Sequence, residues 1–170
     1  MKKFLFIIFY WLLSLTWNGI LTLIGIIAMI VALALGGKPH KNGCSIIIEI
    51  GHNWGGINLG AISLSSIYST KNMDWFNETR CHEFGHSIQG LIFGPLQIFI
   101  VAIPSAIRYW YQRIRDSKHL PNKDYDDIWF EYTASSWGTK FINWLESQSF
   151  VYDYIRPKDR WFRSSSFNLN

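Results

Sequence analysis

His82-Glu83-Phe84-Gly85-His86 places two imidazoles four residues apart with a carboxylate directly after the first. On a helix, residues four apart lie on one face. Both imidazoles can therefore reach one Zn²⁺, with Glu83 beside the open coordination position where a water binds. The chemistry this spacing suits is metal-assisted hydrolysis: the metal polarises a carbonyl and acidifies its water, and Glu83 serves as general base. The competing reading is a pair of core histidines held by backbone or carboxylate hydrogen bonds.

A catalytic zinc site normally takes three protein ligands and a water, so a third ligand must come from elsewhere. The acids downstream and ahead of the C-terminal tail are Asp116, Asp124, Asp126, Asp127, Glu131 and Glu146. Of these, Glu131 alone stands within a helical pattern beside small residues on its own face, with Ala134, Ser135 and Gly138 following at three, four and seven positions. Gly85 and Gly90 offer a matching small surface on the His82 helix, so two closely packed helices would aim Glu131 at the histidines. The plainer alternative is a surface acid favoured near a helix N-terminus by the dipole. Around this centre, Glu78 lies one turn before His82 and is a candidate to orient its imidazole. Tyr132, His52 and His119 are candidates to stabilise an oxyanion.

The stretch H-E-F-G-H-S-I-Q-G-L-I-F-G from His82 to Gly94, then Pro95-Leu96 and Ile103-Pro104-Ser105, resembles a family of uncharacterised bacterial membrane-associated proteins. That family carries H-E-Y-G-H-x-x-Q-S-x-x-x-G-P-L followed by G-I-P-S-L. Its later Y-T-E-K-W-A-N-x-L-G motif is matched by Trp129-Phe-Glu-Tyr-Thr-Ala134-Ser-Ser-Trp-Gly138, which keeps the Glu, Ala and Gly spacing. Trp54-Gly-Gly-Ile-Asn-Leu-Gly60 and Tyr10-Trp11 also fit, so the resemblance covers most of 4–144 and leaves the tail out. More broadly, the pattern is similar to gluzincin metallopeptidases. That resemblance implies His82, His86 and Glu131 as zinc ligands and Glu83 as base. Ser135 departs from it, standing where an acid or amide is expected and leaving only a hydroxyl for an orienting role; an L-P-Q expected near 15–18 is missing.

The elements that must hold these groups follow from local pattern. A helix is expected over 78–93 with caps at Asp74 or Asn77, stopped by Gly94-Pro95 because proline cannot continue it. A second helix is expected over 126–147, where Phe130, Ala134, Trp137, Phe141 and Trp144 recur at helical spacing. The β-branched run 44–50 reads as a strand and 57–64 as its antiparallel partner, joined through the glycine-rich 51–56. The polar stretch 116–127 reads as a connection. Cys44 and Cys81 are too few for a disulfide framework and read as buried small hydrophobes.

The rest of the chain concerns the solvent. Of 170 residues 49% are hydrophobic, 17% aromatic and only 16% charged, with a net charge of +4. This excludes disorder and gives no electrostatic argument for a nucleic-acid partner. No charged side chain occurs between Phe4 and Gly37, whereas ten of the sixteen basic and eight of the twelve acidic residues follow position 107. The run 4–35 exceeds the roughly 20 residues that span a bilayer. It reads either as one tilted span or as a re-entrant hairpin turning at Asn18-Gly19. Lysines flank both ends, and the clustering of Lys and Arg favours a catalytic part facing the cytoplasm. The run 91–107 cannot be a straight second span if Glu131 is to meet His86, and is expected to dip or to be core, broken at Pro104. Tyr109, Trp110 and Tyr111 beside Arg108 and Arg113 resemble a membrane-interface cluster.

The expected protein is thus mainly α with a small β-hairpin: a membrane anchor over 1–37, a zincin-like helical domain over 38–150 and a tail over 151–170. The expected function is a membrane-bound zinc metallopeptidase acting on a peptide or protein, with the bilayer as its partner. The alternatives are a non-catalytic membrane protein with a structural or metal-binding histidine pair, of interaction or immunity type, and a site-2-like intramembrane protease. The last lacks that family's later aspartate motif.

Overall fold

The computed structural model describes residues 2–51, 55–66 and 73–146. The architecture is mainly helical with one small mixed sheet. In chain order it comprises α1 (Lys2–Thr16), α2 (Gly19–Ala34), β1 (Lys38–Asn42), β2 (Ser45–Glu49), β3 (Gly56–Leu59), β4 (Ile62–Ser65), α3 (Met73–Phe93), α4 (Ile103–Ser117) and α5 (Trp129–Leu145). A 3₁₀ turn (Gly94–Leu96) and a π-helical turn (Ile98–Ala102) link α3 to α4, and a second 3₁₀ turn (Tyr125–Asp127) precedes α5.

The sheet corrects the expected single hairpin. It has four strands in the order β1-β2-β4-β3, made of two antiparallel hairpins joined by a parallel β2–β4 pairing with Ile46 opposite Ile62. The turns lie elsewhere than expected, at Gly43-Cys44 and Gly60-Ala61. In each, a glycine with positive φ (62° and 71°) comes first, the backbone that a two-residue hairpin loop requires. Gly51 and Gly55 therefore stand between the hairpins and not in a turn within one, while 52–54 of the expected turn lie outside the described residues. β1 escaped the sequence pattern because Lys-Pro-His-Lys-Asn is polar and contains a proline, which a sheet tolerates only at an edge.

α3 packs most extensively on α5, and small residues set how closely. A Cβ on Gly138 would fall 1.7 Å from the Cys81 carbonyl oxygen, and one on Gly85 would fall 1.8 Å from that of Ala134. The expected small surfaces therefore do meet, except that Gly90 faces the side chains of Asn18 and Gln97 instead. α3 begins at Met73, five residues before the expected start, so Asp74 and Asn77 are not its caps, and α5 begins at Trp129 after the 3₁₀ turn that holds Asp126.

α1 and α2 share this core. Tyr10 is fully buried against Phe84 at a ring-centroid distance of 5.8 Å, in one cluster with Cys44, Ala61, Cys81, Ile88 and Ile142. Phe6 stacks on Phe141 at 5.5 Å. α2 lies on the sheet, where Thr22 Oγ1 accepts from Ala61 N–H at 3.3 Å and Gly25 abuts the Leu59 carbonyl. Both cysteines are buried free thiols.

No single described helix is long and apolar enough to cross a membrane. α1 and α2 pass the length and composition test only together, and their axes meet at 96° across Trp17-Asn18. The run 4–35 is thus not one straight span; it breaks at Trp17-Asn18, beside the turn expected at Asn18-Gly19. The 75–117 stretch passes likewise only as a bent pair, at 117°. Its two arms, Trp75–Leu96 and Ile98–Ser117, meet at Gln97, three residues after Gly94, whose φ of +55° leaves the helical region and whose Cβ position the Trp17 indole occupies. The expected break at Pro104 is absent: helical backbone runs from the π-helical turn into α4, and that proline stands in the first turn of α4. The expected tail lies outside the described residues.

Candidate metal centre

α3 presents His82 and His86 one turn apart with their Nε2 atoms 3.1 Å from each other. α5 brings Glu131, in its first turn and wholly buried, to the same point: Oε2 lies 3.1 Å from His82 Nε2 and 3.2 Å from His86 Nε2. The three atoms form a near-equilateral triangle. Ligands about 2.0 Å from a tetrahedral zinc lie about 3.3 Å apart, so this triangle is close to one face of such a tetrahedron.

The opposite ring nitrogens are tied down. His82 Nδ1 meets Ser135 Oγ at 2.8 Å. His86 Nδ1 meets Gln89 Oε1 at 2.8 Å, and the orientation of that amide is fixed because its Nε2 donates to the Phe130 carbonyl (2.6 Å) and Thr133 Oγ1 (2.8 Å). Oε1 can only accept, so His86 carries its proton on Nδ1 and turns the Nε2 lone pair to the shared point. Neither Glu131 oxygen has a hydrogen bond of sound geometry. Burial by itself raises the Glu131 pKa, but the two imidazoles outweigh it and hold the carboxyl well below its ordinary range. Two imidazole nitrogens and an ionised carboxylate, converging in a largely buried site, form a donor set that a divalent cation suits.

Glu83 is buried against the sheet, where a Cβ on Gly56 of β3 would lie 2.4 Å from its Oε1. Burial pushes its pKa up to about 7, with His86 opposing and Glu131 adding to the rise. That range suits a general base at neutral pH. Asn58 fixes β3 to α3 by directing Nδ2 at the Glu83 carbonyl (3.1 Å) and Ser87 Oγ (2.8 Å).

The remaining expected residues divide. Ser135 is in place as the His82 partner, so a hydroxyl on α5 meets the imidazole that Glu78 was expected to orient. Tyr132 neighbours Glu131 in sequence but is exposed. His119 sits in the exposed turn ending α4, with φ +54°. His52 lies outside the described residues.

Two residues were missed. Gln89 stands one turn beyond His86, a spacing that could have flagged it. Tyr125, the sole aromatic in the polar connection 116–127, stands with its ring 6.2 Å from that of His82 and its hydroxyl 2.9 Å from Ser105 Oγ. Burial raises its pKa, and the Glu131 and Glu83 carboxylates raise it further, so the phenol remains a proton donor. Comparison with protein-family models, curated proteins and solved structures finds no match for this chain.

Proposed function

We propose that this protein is a membrane-attached zinc metallopeptidase whose site faces the cytoplasm. The observation that carries the reading is the triangle of His82 Nε2, His86 Nε2 and Glu131 Oε2 with edges of 3.1 to 3.2 Å. A zinc ion held by His82, His86 and Glu131 would supply a Lewis acid and acidify a water bound to it. Glu83 receives the water's proton on its carboxylate and passes it to the leaving amine. The burial that raises its pKa gives this carboxylate the proton affinity a base needs. Tyr125, kept protonated, donates to the oxygen that gains charge as the carbonyl is attacked, the kind of fixed donor that lowers such barriers. Gln89 holds His86 in the tautomer that ligation requires, and Ser135 anchors the ring of His82. The membrane part of the reading is supported by exposed apolar side chains on the outer faces of α1 and α2, among them Phe4, Ile8, Leu12, Leu23 and Ile27.

The test is metal content followed by turnover. The purified full chain should hold one zinc, lost in His86→Ala. Glu83→Gln should retain the metal while hydrolysis of a fluorogenic peptide library falls about 10²–10⁴-fold. A metal-free protein, or a Glu83→Gln variant as active as wild type, overturns the reading.

A further inference from the structure

The helix α4 has two unlike faces, and only one of them is used by the fold. Its polar face grips the connection that leads to the metal centre: Arg115 donates to the Pro121 carbonyl, Gln112 to that of Lys123 and Arg108 to those of Asp124 and Tyr125. Ser105 on the same face meets the Tyr125 hydroxyl. Positions 105, 108, 112 and 115 recur every three or four residues, so this ladder fixes both the rotation of α4 and the place of Tyr125.

The opposite face carries Ile103, Ile107, Trp110 and Ile114 at the same spacing, all exposed, and no residue of α4 is buried. Phe99, in the π-helical turn that runs into α4, is exposed as well. Arg113 flanks it, packed over the ring of Tyr109, and Lys118 follows at the helix end. The 32 residues 84–115 contain no acid and three arginines. An apolar stripe with Trp at its centre and basic flanks, with the one acid of the helix, Asp116, turned to the polar side where it accepts from Asn122, is the pattern of a helix lying in a bilayer interface.

We propose that the apolar face of α4 beds in the headgroup region of an anionic lipid bilayer, which places the proposed catalytic centre beside the membrane surface. The charge pattern selects the occupant: a second copy of this face would bring Arg113 and Lys118 against their own kind, whereas anionic headgroups attract both. This inference rests on the membrane-attached reading above but not on the metal.

The test uses the full chain with a polarity-sensitive fluorophore at Ile107→Cys or, separately, at Ile27→Cys on α2, since Cys44 and Cys81 are buried. Each is reconstituted into phosphatidylcholine vesicles with and without phosphatidylglycerol, and quenched by iodide or by brominated acyl chains. With anionic lipid, iodide quenching at 107 should fall several-fold and bromolipid quenching should rise; both effects should weaken without it. Lipid contact at 27 with water contact at 107 overturns the α4 proposal and leaves the membrane reading standing. Water contact at both positions overturns both. Protection at 107 without lipid, accompanied by a doubled mass, assigns the face to a second copy and overturns the proposal.

Discussion

His86 has two ring nitrogens, and the chain decides which carries the proton. Gln89 does so because its own amide is pinned by the Phe130 carbonyl and Thr133. Gln89→Leu removes that control and leaves the Nδ1–H buried without a partner. Zinc affinity should fall about 10–100-fold, the usual cost of losing a ligand's orienting bond, measured by competition with a chromogenic chelator. Tyr125→Phe removes a donor but no ligand. Metal affinity should stay unchanged while kcat drops about 10²–10³-fold, and a variant that instead loses zinc would make Tyr125 a structural support of Glu131. Of these residues, His82, Glu83 and His86 were legible in sequence because their relation is local. Gln89 was legible only in principle, and Tyr125 was hidden in a polar connection with no period to mark it.

Between elements, the decisive contact is α3 against α5. Glu131 reaches the histidines only because the two helices approach closely enough for backbone to touch backbone at Gly85 and Gly138. Gly138→Ala must push α5 away from the Cys81 carbonyl. A loss of about 1–3 kcal/mol is expected from overpacking, read as a lower denaturant midpoint, with zinc affinity falling alongside as Glu131 withdraws. The pattern of small residues forecast this packing. The strand pairing was not forecast, because a parallel β2–β4 neighbour is chosen by the crossing of the chain and not by either strand's own residues.

Across the whole molecule, the far end of the α3–α5 pair is closed by Arg80 and Glu146, a two-pronged ion pair at 2.9 Å on each arm. Hydrogen bonding from Arg80 lowers the Glu146 pKa against its partial burial. A depressed folded-state pKa means that stability is present above the unfolded carboxyl value of about 4.3 and is lost as pH falls through the folded value. Wild type should therefore lose more stability than Glu146→Gln between neutral and acidic pH, measured as the shift of the urea midpoint. Equal acid sensitivity in the two proteins would assign the acid response to other carboxylates. The same scale governs the apolar N-terminal run. Composition sets 1–37 apart from the rest, yet Tyr10 is a core residue packed on Phe84, Phe6 packs against that core on Phe141, and Thr22 bonds the β3–β4 turn.

The sequence by itself determined the features whose causes lie within a turn or two of helix: the paired histidines and adjacent glutamate, the stop at Gly94-Pro95, the small faces of two helices and the long uncharged run. Those follow from periodicity and from the chemistry of single residues. The tertiary structure alone decided that Glu131, Ser135 and Tyr125 converge on His82, that the sheet has a parallel seam, and that the apolar run bends through 96° and joins the core. Each depends on which distant surfaces exclude water from one another. That choice is made by packing shape over the whole chain and leaves no repeating signal in any one segment.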